Sequence, residues 1–174
     1  MNKDVSNTDD LVKYIRDSLS PYYPEKEINS MLFIMFEEIL GFSKTDIIMM
    51  AENTLSTMEL GKFEQVLDRL KKMEPIQYVL GSTQFCGLRI KTDARALIPR
   101  PETEELVYWI LEEPKGPVLR ILDIGTGSGC IAIAIKKSRP NSQVLGMDKY
   151  DPALELAREN AEINKIAVHF FQGN

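Results

Sequence analysis

The residues best suited to chemistry lie in the second half of the chain. Asp123 follows the apolar run Val118-Leu119-Arg120-Ile121-Leu122, Gly125-Thr126-Gly127-Ser128-Gly129 comes next, and Asp148 stands 23 residues after Gly125. A glycine-rich turn between a strand and a helix lets the main chain come close to a ligand, and the amides at the helix start favour an anionic group. An acid at the end of the following strand can accept both hydroxyls of a ribose. Glycine spacing narrows the ligand further. A dinucleotide site requires G-x-G-x-x-G, which would place glycine at position 130, where this chain has Cys130. The same glycines would also serve a tight strand-to-helix turn with no ligand. What favours a site is the register of strand, turn, helix, strand and acid.

Competing chemistries have little material. His169 is the single histidine, and Cys86 and Cys130 have no partner at metal or redox spacing. Zinc sites and Ser-His or Cys-His nucleophiles are thereby disfavoured. Both cysteines read as reduced, small apolar side chains, and His169 as a partly buried strand residue. The net charge of −5 is concentrated in residues 1–74, with 9 Lys/Arg against 14 Asp/Glu, while residues 75–174 balance at 12 each. An acidic front half is a poor partner for nucleic-acid phosphates. Apolar runs reach six residues at Met31 to Phe36, well short of the roughly 18 that a membrane helix needs. The first residues carry no apolar export signal, which points to the cytoplasm. With 44% hydrophobic and 27% charged residues, the 174-residue chain has globular composition and room for one medium domain or two small ones.

Periodicity supplies the elements that must position these residues. Val118 to Ile124 reads as a strand buried on both faces, Ile131 onward as a helix up to Pro140, Gln143 to Asp148 as a second strand, Pro152 to Asn164 as a helix, and Ala167 to Phe171 as a third strand. Such alternation implies a parallel, doubly wound sheet with its ligand at the carboxyl ends of the strands. Upstream, Gln84 to Cys86 and Leu88 to Lys91 read as short strands bent at Gly87. Ile98-Pro99-Arg100-Pro101 is proline-stiffened, and Thr103 to Glu113 reads as a helix turning Leu106, Val107, Trp109 and Ile110 inward.

The front of the chain is helical. Thr8 to Leu19 carries Leu11, Val12, Ile15 and Leu19 on one face, with Thr8, Asp9 or Asp10 as its cap. Glu25 to Leu40, closed by Gly41, is apolar all round at Met31 to Phe36 and should be the buried centre, although a methionine-rich stripe could instead form a pliable binding groove. A short helix from Ser43 to Glu52 has Asp46 as its capping acid. Thr57 to Lys72 follows, with Phe63, Val66, Leu67 and Leu70 inward and Arg69, Lys71 and Lys72 complementing the dipole.

Asp123 followed by G-x-G-x-G resembles the pattern of class I S-adenosylmethionine methyltransferases. That cofactor has no pyrophosphate but carries a sulfonium, an amino group and a carboxylate, which Asp123, the glycine turn and the helix start suit. Beyond this motif, the chain from residue 8 onward resembles the HemK/PrmC family of protein-(glutamine-N5) methyltransferases, which modify peptide chain release factors. The resemblance rests on Pro75-Ile76-Gln77-Tyr78-Val79-Leu80-Gly81, on Phe85, on Ile98-Pro99-Arg100-Pro101-Glu102-Thr103-Glu104, on Leu122 to Gly129, and on Asp148 with Asp151-Pro152-Ala153-Leu154. It implies a helical substrate-recognition domain over residues 1–74, a linker with a β-hairpin over 75–101, and the N-terminal half of a Rossmann-like class I methyltransferase sheet over 102–174. The reaction implied is methyl transfer from S-adenosyl-L-methionine to the side-chain amide nitrogen of the glutamine in a Gly-Gly-Gln motif, with S-adenosyl-L-homocysteine as product. The resemblance further implies that Asp123, Gly125, Thr126 and Gly127, with Gly129 beside them, line the methionine end. Asp148 would hold the ribose, Phe85 and Arg100 would lie near the cofactor's face, and Asn174 would stand near the adenine.

The family's catalytic Asn-Pro-Pro-Tyr does not occur in the chain, so no catalytic residue is assigned within it. The chain is expected to be an inactive piece of a longer protein, with its first parallel strand left as an exposed apolar edge that self-associates. Two other classes stay open. One is a class I methyltransferase acting on another protein or on nucleic acid, and the other is a non-catalytic protein-binding module built on Met31 to Phe36.

Overall fold

The computed structural model describes residues 5, 7–43, 45–46, 54–112 and 119–174, and the chain divides into two compact units, Met1–Leu80 and Gly81–Asn174. In the first unit, α1 (Thr8–Leu19) buries Leu11, Ile15 and Leu19 as its spacing predicts. Its cap is Asn7 and not Thr8, Asp9 or Asp10. Extended at φ −140°, Asn7 accepts the Asp10 N–H on its side-chain oxygen at 2.9 Å, while Thr8 turns into the core. Helix α2 (Glu25–Leu40) ends at Gly41 in the left-handed conformation. It buries Ile28, Met31, Leu32, Met35 and Phe36 but leaves Phe33 and Ile34 only half-buried. The all-round burial expected from composition is therefore reduced to a stripe, because neighbours pack on one side of the helix.

Helix α3 (Thr57–Leu70) starts in a capping box between Ser56 and Glu59 and buries Phe63, Val66, Leu67 and Leu70. Phe63 packs against Phe36 with ring centres 5.3 Å apart, and the Tyr23 hydroxyl donates to the Leu70 carbonyl at 2.7 Å. Arg69 does more than face a helix dipole. It donates to the Glu74 carboxylate and to the carbonyls of Tyr78 and Val79, tying α3 to the short α4 (Ile76–Leu80). The helix expected from Ser43 to Glu52 falls largely outside the described residues; at its start Asp46 accepts both the N–H and the hydroxyl of Ser43. Among the described residues no helix is long and apolar enough to cross a membrane.

The second unit opens with an antiparallel hairpin, β1 (Ser82–Phe85) and β2 (Leu88–Lys91), whose turn holds Cys86 at φ 48°. Helix α5 (Pro101–Glu112) starts two residues before Thr103, since proline suits a first turn and the Arg100 carbonyl accepts the Thr103 N–H. Val107 is buried, but Leu106 and Trp109, expected inward, are exposed at 42% and 67%. A helix packed on one side hides one stripe, and here that stripe runs through Val107, Ile110 and Leu111.

Strands β3 (Arg120–Ile124), β4 (Gln143–Asp148) and β5 (His169–Gln172) form a parallel sheet in that order, connected through α6 (Cys130–Ser138) and α7 (Asp151–Ile163). Its core joins Ile133, Ile135, Val144, Leu154, Ala157 and Phe170 to Phe85, Leu88, Ile90 and Val107. Strand β3 lies at the sheet edge and alternates in burial instead of being buried on both faces. Ile121 packs on the core, while Leu122 and Ile124 are 47% and 71% exposed. His169 is likewise exposed and not partly buried, with its ring stacked beside Phe171.

Candidate functional site

The loop after β3 is pinned to the end of β4. Gly125 and Thr126 both donate their N–H to the Met147 carbonyl, at 2.8 and 2.9 Å. Gly129, at φ 79°, caps α6, and its carbonyl receives the first helical bond from Ile133. A Cβ at Gly129 would lie 3.0 Å from both Ala157 Cβ and Phe170 Cζ, so this position needs glycine for conformation and for close packing alike.

Two carboxylates converge on this loop from neighbouring strand ends. Asp123 accepts the Thr126 hydroxyl at 2.7 Å. Asp148 accepts the Gly127 N–H on one oxygen at 2.9 Å and the Tyr150 N–H on the other at 3.0 Å. Burial holds the Asp123 carboxyl above the usual range, and the charge of Asp148 adds to this. The Thr126 hydroxyl and the Ala132 N–H oppose the shift. Asp123, Gly125, Thr126, Gly127, Gly129 and Asp148 are thus brought together. Of the other sequence candidates, Asn174 follows Gly173, whose N–H donates to the Asp148 carbonyl at 3.0 Å. Phe85 is 1% exposed, inside the apolar core. The Arg100 side chain is exposed, and its carbonyl serves the start of α5. Asn174 borders an open pocket with Lys149, Gln172 and Gly173.

Residues 10–81 match the family model described as the PrmC N-terminal domain, and residues 103–174 match the methyltransferase small domain. The chain is 43% identical over 161 residues to the release factor glutamine methyltransferase of Flavobacterium psychrophilum, covering 90% of this chain and 56% of that protein. It is 41% identical over 160 residues to the protein of the same name from Bacteroides thetaiotaomicron, covering 92% and 57%. The chain is similar to the HemK/PrmC methyltransferases over most of its length. It spans a little over half the length of these curated relatives. Among solved structures it is similar to the Pyrococcus abyssi tRNA (uracil-54, C5)-methyltransferase in complex with S-adenosyl-L-homocysteine, with 24% identity over 53% of this chain and 23% of that one and a TM-score of 0.46.

The structure adds residues that motif spacing did not reveal. Asn160 of α7 is fully buried, accepts the Lys91 N–H, and donates to the carbonyls of Lys91 and Ser128. The available signal was a polar residue on the stripe of α7 that also carries Ala153, Leu156, Ala157 and Ala161. Glu159, beside it, accepts Arg95 and Lys91. Glu104, within the distinctive Pro-Glu-Thr-Glu segment, accepts the N–H of Cys86 at 2.8 Å.

The Glu159 cluster carries a pH signature. Hydrogen bonds from Arg95, and then Lys91, lower its carboxyl from an ordinary 4.5 to about 2. A depressed carboxylate stabilises the fold above its unfolded value and loses that contribution as pH falls through the folded one. Thermal melts of the wild type should therefore decline between about pH 4.5 and 2. Glu159→Gln should be less stable at neutral pH and show a flatter decline across that window; parallel curves would refute the assignment.

Proposed function

We propose that this loop holds S-adenosyl-L-methionine, and that the whole protein transfers its methyl group to the side-chain amide nitrogen of the glutamine in the Gly-Gly-Gln motif of peptide chain release factors. The reaction takes place in the cytoplasm and leaves S-adenosyl-L-homocysteine. The observation that carries the reading is the convergence of Asp123 and Asp148 on the glycine loop at the ends of adjacent parallel strands. The names of the relatives support the choice of substrate.

The residues fit the cofactor. A Cβ at Gly125 would meet nothing within 4 Å, so the loop offers open main chain there. Each carboxylate oxygen of Asp148 takes one amide, which leaves further lone pairs for two ribose hydroxyls. When bound, the cofactor supplies an electrophilic methyl on its sulfonium. The start of α6 favours the cofactor carboxylate, and the negative charge of Asp123 favours its amino group and sulfonium. The helical unit docks the release factor, and its acidity argues against direct contact with nucleic acid.

The test is labelled methyl transfer by the whole protein to a release factor, to a variant lacking the Gly-Gly-Gln glutamine, and to RNA. Label on the first alone is expected; label on RNA alone overturns the reading. The 174-residue chain by itself should bind the cofactor in calorimetry without turning over, and turnover by it would place the target-amide contacts within these residues. Asp123→Asn should weaken that binding by roughly 10- to 100-fold, the value of one hydrogen bond to a charged group. The same change should raise the melting temperature at neutral pH, because a carboxyl held above its usual range destabilises the fold once ionised. A lower melting temperature with unchanged affinity would reverse both expectations.

In the 174-residue chain, the β3 edge, which no strand among the described residues pairs, is proposed to pair with a second copy. Light scattering should then show species larger than a monomer, and a monodisperse monomer would overturn this.

A further inference from the structure

The segment after the hairpin lies against the glycine loop. Ala96 Cβ is 3.8 Å from the place a Cβ on Gly127 would take, so Ala96 forms a wall beside the loop residue whose N–H reaches Asp148. The turn carrying Ala96 is built on Asp93, which accepts the Arg95 N–H on its side chain and the Ala96 N–H on its carbonyl. From that turn Arg95 grips two carboxylates. Its guanidinium donates to both oxygens of Asp93, at 2.9 and 2.8 Å, and to both oxygens of Glu159, at 2.8 and 2.9 Å. Planar, bidentate pairing of this kind fixes direction as well as distance. Lys91, at the root of the segment, adds a third donor to Glu159 at 2.7 Å.

The adjacent residue on α7 performs the matching task inside the core. Asn160 holds both main-chain groups of Lys91 and the Ser128 carbonyl of the glycine loop. One turn of one helix therefore sets the position of the wall through Glu159 and of the loop through Asn160. Nothing in the cofactor motif requires a guanidinium at position 95 or an amide at 160.

We propose that Arg95 is a positioning residue for the cofactor, acting through Ala96 to fix the gap between the wall and the glycine loop. The inference rests on the cofactor reading above. It assigns affinity to a residue outside the Asp123, glycine-loop and Asp148 group.

The experiment is a double-mutant cycle in the 174-residue chain, read by calorimetric titration with S-adenosylmethionine well below each variant's melting temperature. Arg95→Ala should weaken binding about tenfold, within the range seen for residues that act through others. Arg95→Lys, a point charge in place of a fork, should fall between that variant and the wild type, and it replaces Arg95→Ala in the cycle if the alanine variant does not fold. Ala96→Gly removes the wall while leaving the clamp intact. If Arg95 acts through Ala96, the double variant should bind little worse than the weaker single variant. A purely structural role would instead make the two effects multiply, and that result overturns the inference. So does an Arg95→Ala affinity within about twofold of the wild type, below the range of such coupling. A wild-type chain that gives no heat with the cofactor brings down the cofactor reading itself, and this inference with it.

Discussion

Asp148→Ala is expected to abolish measurable S-adenosylmethionine binding by the chain, a loss of at least about 100-fold in affinity. Two effects add. In the proposed site the ribose hydroxyls would lose a charged acceptor, and hydrogen bonds to charged groups contribute about 1.5–3 kcal/mol each. The loop also loses its anchor, since Asp148 holds the N–H of Gly127 and the N–H of Tyr150 at once. Asp148→Asn separates the two effects. Its amide oxygen can keep one main-chain N–H, but its NH2 group faces the other donor, so a smaller loss of fold stability should accompany a similar loss of affinity. Calorimetry gives the affinity, and amide exchange at Gly127 and Tyr150 gives the anchoring. An Asp148→Ala chain that binds within about threefold of the wild type, well short of one charged hydrogen bond, would remove the ribose assignment.

Gly146→Ala should be the most damaging single-atom addition in the second unit. A Cβ at this β4 position would lie 2.4 and 2.5 Å from Phe170 Cδ1 and Cε1 and 2.9 Å from the Thr126 hydroxyl. Neither neighbour is free to retreat. Phe170 is 5% exposed and its ring tip already closes on Gly129, while the Thr126 hydroxyl is held by Asp123. Overpacking a filled core costs about 1–3 kcal/mol and sometimes more, and the upper end is expected here. For a unit of this size that lowers the melting temperature by roughly 10–20 °C. Phe170→Leu combined with Gly146→Ala should recover part of the loss, because the clash is with the ring. A fall of less than about 5 °C for Gly146→Ala, near the lower end of the overpacking range, would show that β5 can shift to make room.

The parts of this architecture legible in the sequence are those set by neighbours along the chain. The glycine loop needs its left-handed positions within five residues, and the inward faces of α1 and α3 repeat at helical spacing. Composition misleads where a pattern has two solutions. Leu106, Val107, Trp109 and Ile110 span a wide arc of α5, and only the packing on α6 selects Val107 and Ile110 over Leu106 and Trp109. An edge strand such as β3 has the same β-branched composition as a central one, so its exposed face was hidden. The clamp lay further out of reach. Arg95 meets Glu159 across 64 residues, and Asn160 meets Ser128 across 32, with no motif joining either pair.

The Pro-Glu-Thr-Glu segment is the most distinctive part of the family resemblance, and its Glu104 accepts the N–H of a cysteine held at φ 48° in the hairpin turn. A positive φ on a non-glycine residue is costly and persists only where its surroundings impose it. Through Glu104 the signature therefore helps to hold a turn geometry, and a glycine at position 86 would remove the conformational cost that this hydrogen bond helps to offset.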